Sequence, residues 1–172
     1  MNTIFALNRV KEEPARYAAL AAGLLPFGIF VANAVWPTDS SEGEQIVGRP
    51  PGAIFALAWI SIVLILLFST VIAMLRFDKL PLVLYCLIIA FIAIISIVWL
   101  YMNNYEKNYA GANNTILSLI LVCLMFMVVS ITAKSDKDMD NIHLMLGLGA
   151  TIPVFWSISA TTLGFLDANI PK

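Results

Sequence analysis

The chain has 172 residues, of which 60% are hydrophobic and 12% are charged. Soluble domains average about 25% charged residues, so this composition excludes a soluble globular protein and indicates an integral membrane protein. The formal net charge of −1 gives no sign of nucleic-acid binding. The first residues lack the long apolar stretch of a cleavable signal peptide, so we expect the first apolar segment to direct membrane insertion.

Five apolar segments, each of 20 residues or more, follow one another along the chain. They cover residues 15–36, 51–75, 80–102, 114–133 and 142–166. At 1.5 Å per residue, each is long enough for a hydrocarbon core of roughly 30 Å. The sequence therefore predicts an all-α membrane protein, with residues 1–172 forming a single five-transmembrane-helix bundle. Four helices plus a re-entrant segment is the alternative.

The first two segments carry the clearest local signals. Segment one is rich in alanine and contains Gly23, which favours close helix packing, and Pro26 with Gly28 predicts a kink. Segment two begins at a proline pair ending in Pro51, which suits the first turn of a helix. Between them lies the polar loop 37–50, the longest connection, and we interpret it as a lid.

Basic residues near the segment ends predict the orientation. Seven lie on one side of the membrane: Arg9, Lys11, Arg16, Arg76, Lys79, Lys134 and Lys137. Three lie on the other: Arg49, Lys107 and Lys172. Because cytoplasmic loops carry the excess of Lys and Arg, we expect the N-terminus in the cytoplasm, and the lid loop and the C-terminus outside.

In this topology all four tryptophans lie in the outer half. Trp36 and Trp99 are close to segment ends, as in an interfacial aromatic belt. Trp59 and Trp156 lie deeper, about 12 and 15 Å from the outer ends of their helices. Those two are either packing residues or walls of an aromatic pocket beneath the outer loop, since ligand sites are typically apolar and set between helices.

No ionisable residue lies in the middle of any segment, which disfavours an ion-coupled pump. His143 is the single histidine and lies at the inner start of segment five. Cys86 and Cys123 lie in apolar runs without neighbouring histidines or cysteines, as expected of small buried side chains. No nucleophile, base or metal set can be assembled, so we expect no enzyme that uses its own side chains and no required cofactor.

Three stretches carry a family resemblance. The stretch from Pro50 to Trp59, PPGAIFALAW, resembles the P-P-G-x-x-F-x-x-x-W start of helix two in the TspO/MBR family of tryptophan-rich sensory proteins. In segment five, the stretch from Trp156 to Leu163 is similar to the family pattern W-x-x-x-A-T-x-L. Trp99 resembles the tryptophan of the family's N-x-x-W segment. The five segments and the long first loop also fit.

The resemblance implies a membrane receptor or transporter, often dimeric, that binds porphyrin, haem or a similar flat hydrophobic ligand in an outer-leaflet pocket. The expected ligand-binding residues are aromatic or lie around the aromatic walls: Trp59, Trp156, Trp36, Trp99, Phe55, Phe30, Ala160, Arg49 and Pro51. Arg49 would pair with a propionate carboxylate of the ligand. Expected partners are membrane lipid, this ligand and a second copy of the chain, and no nucleic acid.

Two alternatives remain at this stage. The first is a structural or accessory subunit of a larger membrane complex that binds no small molecule, with the small-residue face of segment one, Gly147 and Gly149 as packing surfaces. The second is an enzyme that acts on a bound tetrapyrrole through the photochemistry of that ligand.

Overall fold

The computed structural model describes residues 14–37, 52–77, 79–132 and 140–168, and every element within them is helical. The elements are α1 (Pro14–Leu24), a 3₁₀ turn (Leu25–Phe27), α2 (Gly28–Val35), α3 (Gly52–Arg76), α4 (Lys79–Leu100), a π-helical turn (Tyr101–Tyr105), α5 (Tyr109–Thr132) and α6 (Asp140–Ala168). Because α1, the 3₁₀ turn and α2 form one span, the chain is an all-α membrane bundle of five helical segments, as predicted.

Four segments are long and apolar enough to cross a membrane. These are Arg16–Val35, Ala56–Arg76, Pro81–Tyr105 and Ala110–Thr132. In α6 the apolar part among the described residues is shorter, Leu146–Ser159. The α6 helix itself has 29 residues, and its length of about 43 Å exceeds a hydrocarbon core of roughly 30 Å. The chain is therefore a multi-pass integral membrane protein.

Neighbouring helices form a closed ring in the order first span, α3, α6, α5 and α4, with α3 also contacting α4. The most extensive contact is between α5 and α6. Because successive helices run in opposite directions, one end of the bundle holds Trp36, Trp59 and Trp99, and we call it the tryptophan end. The opposite end holds Arg16 and Phe77 and is called the arginine end.

The first span is interrupted where the sequence predicts a kink. Pro26 is buried in the 3₁₀ turn that separates α1 from α2, and Gly28 is the first residue of α2. A proline has no backbone N–H to continue the α-helical pattern, and its ring clashes with the preceding turn. The predicted irregularity is confirmed.

Two glycines allow helices to approach closely within the chain. A Cβ atom added to Gly23 of α1 would lie 2.8 Å from Cγ2 of Thr70 in α3. A Cβ added to Gly147 of α6 would lie 2.7 Å from Cγ1 of Ile131 in α5, and one added to Gly149 would meet Ile65 at 3.4 Å. Small residues permit such backbone approach in lipid. Gly147 is therefore buried against α5, whereas Gly149 is partly buried and its added Cβ would make an ordinary contact with α3.

The connection between the third and fourth spans is shorter than the sequence suggests. Residues 103–113 read as a polar loop, yet the π-helical turn extends to Tyr105 and α5 begins at Tyr109. The Asn108 side-chain oxygen accepts a hydrogen bond from the Gly111 backbone N–H at 2.9 Å. Asparagine is a preferred N-cap residue because it satisfies an otherwise unpaired N–H of the first helical turn. This cap starts α5 five residues before the predicted position of 114.

Candidate functional site

Two of the predicted site residues meet at the tryptophan end. The rings of Trp59 on α3 and Trp99 on α4 have centroids 6.1 Å apart and planes inclined by 32°. Both indoles are buried, with exposures of 6% and 9%. Aromatic rings at this separation attract each other by about 0.5–1.5 kcal/mol beyond the area that they bury. The structure thus joins Trp59 to Trp99, a pairing that the sequence did not predict.

A second aromatic group follows at the same end. Trp36, the first residue beyond α2, packs edge-on against Tyr101, with ring centroids 5.1 Å apart and planes at 68°. Tyr101 stacks in turn on Tyr105, with centroids 5.3 Å apart and planes at 25°. Tyr105 is 64% exposed. We call these three residues the tyrosine platform.

A buried asparagine fixes the position of Trp36. Asn104 is 8% exposed and lies in the π-helical turn. Its side-chain amide donates a hydrogen bond to the Trp36 carbonyl oxygen at 2.8 Å, and its side-chain oxygen accepts one from Asn103 at 2.9 Å. Single turns of π-helix occur frequently at functional sites. This bond ties the end of the first span to the end of the third.

The backbone directly after this turn is unusual. Lys107 has a φ of 55°, in the left-handed region that residues other than glycine seldom adopt. The Asn108 N–H donates to the Met102 carbonyl oxygen at 2.9 Å, which closes the turn. Glu106, which is exposed, directly follows Tyr105 in this turn. The connection therefore presents a carboxylate beside two stacked phenol rings.

For the remaining predicted site residues the structure gives fewer contacts. Trp156 on α6 and Phe30 on α2 are partly buried and pack against the same hydrophobic core as Trp59. Phe30 makes an edge contact with Phe27, with ring centroids 6.2 Å apart. Phe55 lies in α3 and Ala160 in α6, but their side chains are outside the described set. Arg49, Pro51 and the predicted lid 37–50, apart from Pro37, lie outside the described residues.

The arginine end contains a buried charge whose burial the sequence analysis missed. Arg16 is 1% exposed, although its position next to a segment end suggested an interfacial residue. Its guanidinium donates hydrogen bonds to the carbonyl oxygens of Met74 and, at 3.3 Å, Phe77. The carbonyls in the last turn of a helix have no partner in their own helix and carry partial negative charge. Arg16 therefore caps the C-terminal end of α3.

A buried hydroxyl cluster lies next to this cap. Tyr85 of α4 is fully buried, and its hydroxyl lies 3.5 Å from that of Ser130. Its ring contacts Phe77 at 5.4 Å and Phe126 at 5.2 Å between centroids. The Ser130 hydroxyl donates to the Phe126 carbonyl oxygen at 2.7 Å. We call Tyr85 and Ser130 the hydroxyl cluster, and its contacts join α4 and α5.

Comparison with protein families, curated proteins and solved structures finds no match for this chain. Over the described ranges, no three His, Cys, Asp or Glu side chains come together in a way that could hold a metal ion. What the described residues offer at the tryptophan end is flat apolar surface from indole and phenol rings, with one carboxylate at its edge. Such surface suits the binding of planar or cationic groups.

Proposed function

We propose that the tryptophan end binds a flat hydrophobic ligand of the porphyrin class, and that the protein is a TspO-like membrane receptor or transporter. The observation that carries the proposal is the buried pair of Trp59 and Trp99, 6.1 Å apart. Apolar packing in lipid can be met by aliphatic side chains alone. Indoles concentrated at one end of a bundle favour a role in stacking a planar ring system.

The spacing of the pair specifies how such a ligand would stack. A planar ring held between two parallel rings needs about 7 Å between them, because each contact takes about 3.5 Å. The separation of 6.1 Å and the tilt of 32° leave too little room between Trp59 and Trp99. The pair therefore serves as one wall of the site. Because α3 contacts both α4 and α6, Trp156 on α6 is proposed as the opposite wall.

The test measures the affinity of protoporphyrin IX by its absorbance shift. Replacing both Trp59 and Trp156 by leucine removes a ring from each proposed wall, and we expect affinity to fall about tenfold or more. The matched control is Phe155→Leu, because Phe155 neighbours Trp156 but is 73% exposed. Unchanged affinity in the double variant, or an equal loss in the control, would reject this site.

The same proposal includes an orientation with the arginine end in the cytoplasm, supported by the excess of basic residues on that side. A chain with Cys86→Ala and Cys123→Ala has no native thiol. Adding Glu106→Cys places one thiol at the exposed connection of the tryptophan end. We expect a membrane-impermeant maleimide to label intact cells at this position, and labelling only after lysis would reverse the orientation.

The alternative of an accessory subunit has lost part of its basis. Gly147, one of the two glycines proposed as partner surfaces, is buried, and a Cβ added to it would meet Ile131 of the same chain at 2.7 Å, whereas Gly149 is only partly buried. The exposed Ala18 and Ala21 of α1 remain as a small-residue face. Purification in mild detergent separates the two functions: co-purification with a large complex and no porphyrin binding would favour the subunit.

A further inference from the structure

The tyrosine platform of Trp36, Tyr101 and Tyr105 presents an aromatic face to the surroundings. Its outermost ring, Tyr105, is 64% exposed, and Tyr101 stacks beneath it at 5.3 Å. Trp36 supports Tyr101 from the side at 5.1 Å. The bond from Asn104 to the Trp36 carbonyl oxygen holds this support in place. The exposed ring is therefore backed by two others and fixed by the π-helical turn.

The platform lies at the boundary of the apolar region. Tyr105 is the last residue of the membrane-spanning stretch Pro81–Tyr105, and the exposed residues Glu106 and Lys107 follow it directly. Aromatic residues at such boundaries sit at the level of the lipid headgroups. A headgroup is therefore the chemical group that this face meets first.

Charge next to the platform favours one class of headgroup. The exposed Glu106 directly follows Tyr105, so a carboxylate lies next to the stacked rings in the chain. Lys107 follows it, so the two adjacent residues carry opposite charges. A zwitterionic headgroup complements this pair better than an anionic one, with its cationic part at the carboxylate and the rings. An interfacial belt requires aromatic rings alone and does not account for a stack whose supporting Trp36 is held by the Asn104 side chain.

The aromatic faces favour binding of a quaternary ammonium group over a primary one. Ring faces attract cations, and clusters of aromatic rings are the established means of recognising quaternary ammonium groups. A trimethylammonium group forms no hydrogen bonds, so contact with a ring disturbs its hydration less than that of a primary ammonium. We propose that the tyrosine platform binds the phosphocholine headgroup of a membrane lipid. The trimethylammonium lies on the exposed face of Tyr105 beside Glu106, and the phosphate lies toward Lys107.

The test is lipid retention in native mass spectrometry. The protein in maltoside detergent receives an equimolar mixture of phosphatidylcholine, phosphatidylethanolamine and phosphatidylglycerol with identical acyl chains. We expect phosphatidylcholine to be retained at least about threefold over the other two. Soluble phosphocholine should displace it. Because the acyl chains are identical, failure of phosphocholine to compete would show that the platform does not bind this headgroup and would overturn the proposal.

Variants at the platform decide which groups produce the preference. Tyr105→Leu removes the outer ring and Glu106→Gln removes the charge, and each should bring the retention ratio close to one. Tyr105→Phe keeps the ring and should keep the preference. The matched control is Tyr17→Leu, since Tyr17 is 55% exposed at the arginine end.

Three further results would overturn the proposal: an unchanged ratio in Tyr105→Leu, an equal loss in Tyr17→Leu, or a preference for phosphatidylglycerol in the unmodified protein. Far-UV circular dichroism of each variant checks that the bundle is folded. Comparison of Tyr105→Phe with Tyr105→Leu separates the effect of losing the ring from the effect of losing the hydroxyl.

Discussion

At the arginine end a buried arginine and a hydroxyl pair bond within the chain beside the rings of Phe77, Tyr85 and Phe126, whereas at the tryptophan end two buried indoles pack on each other. Arg16 donates to two backbone carbonyl oxygens, and the Ser130 hydroxyl lies 3.5 Å from that of Tyr85. At the other end Trp59 packs on Trp99 and Trp36 packs on Tyr101.

The two ends also differ in the regularity of their backbone. At the arginine end, α3 continues to Arg76 and α4 begins at Lys79. At the tryptophan end, the third span finishes in a π-helical turn, and Lys107 then adopts a positive φ. Irregular backbone of this kind concentrates at functional sites. The difference teaches that the regular end is closed by the arginine cap of α3, whereas the irregular backbone lies at the end that carries the proposed site.

The largest expected effect on stability comes from Arg16→Ala. The substitution removes the two hydrogen bonds that the guanidinium donates, so the carbonyl oxygens of Met74 and Phe77 lose this donor. We expect the free energy of unfolding to fall by about 3 kcal/mol. Unfolding in mixed micelles of dodecyl maltoside and SDS measures the change. The neighbouring Tyr17→Leu is the control, and equal stability of both variants would contradict a structural role for the arginine end.

The next largest effect is expected for Gly23→Ala. The added methyl group would meet Cγ2 of Thr70 at 2.8 Å and force α1 away from α3. Overpacking of this kind costs about 1–3 kcal/mol. Thr70→Ala removes Cγ2 and Oγ1 and leaves only Cβ at 3.0 Å, so the double variant should recover part of the loss. Additive losses in the same mixed-micelle unfolding would show that the two residues do not oppose each other.

A smaller loss is expected for Asn104→Leu at the tryptophan end. It removes the bond to the Trp36 carbonyl oxygen and costs about 1–2 kcal/mol. Because Trp36 is then less well held, affinity for protoporphyrin IX should fall as well, which Arg16→Ala should not cause. Asn114→Leu, at an exposed position of α5, is the control. Porphyrin titration and unfolding of the same samples would show whether the two ends respond separately.

The smallest effect is expected for Tyr85→Phe. Ser130 keeps its bond to the Phe126 carbonyl oxygen at 2.7 Å, so the variant loses only the tyrosine hydroxyl. The unfolding free energy should fall by about 0.5–1 kcal/mol. A loss as large as that of Arg16→Ala would mean that the hydroxyl cluster, not the guanidinium, fixes the arginine end.

The architecture could be predicted from the sequence, because length and hydropathy are enough to locate membrane-spanning segments. The interruption of the first span could be predicted as well, because Pro26 has no backbone N–H for an α-helical hydrogen bond. The start of α5 does not follow, because the Asn108 cap and the π-helical turn convert an apparently polar loop into helix. The burial of Arg16 could not be predicted from the sequence, because its partners are backbone carbonyl groups, which every residue has.

The candidate site is predictable in part. The sequence predicts that Trp59 and Trp99 lie in the same half of the bundle, but it places Trp59 deeper than Trp99, and only the structure joins them. Side-chain packing between α3, α4 and α6 decides which helices are neighbours and how each helix is rotated about its axis. The spacing of residues along the sequence contains no information on that packing. For that reason the sequence paired Trp59 with Trp156 and missed the Tyr101–Tyr105 stack.

The cap made by Arg16 has a consequence for how the protein is made. Its acceptors lie 58 and 61 residues later in the chain, and at about 5–20 residues per second a ribosome takes roughly 3–12 s to add them. During that interval the first span has a cationic group at its start and no helix end to bind it. The first span therefore reaches its final position only as a hairpin with α3, after the ribosome has passed Phe77.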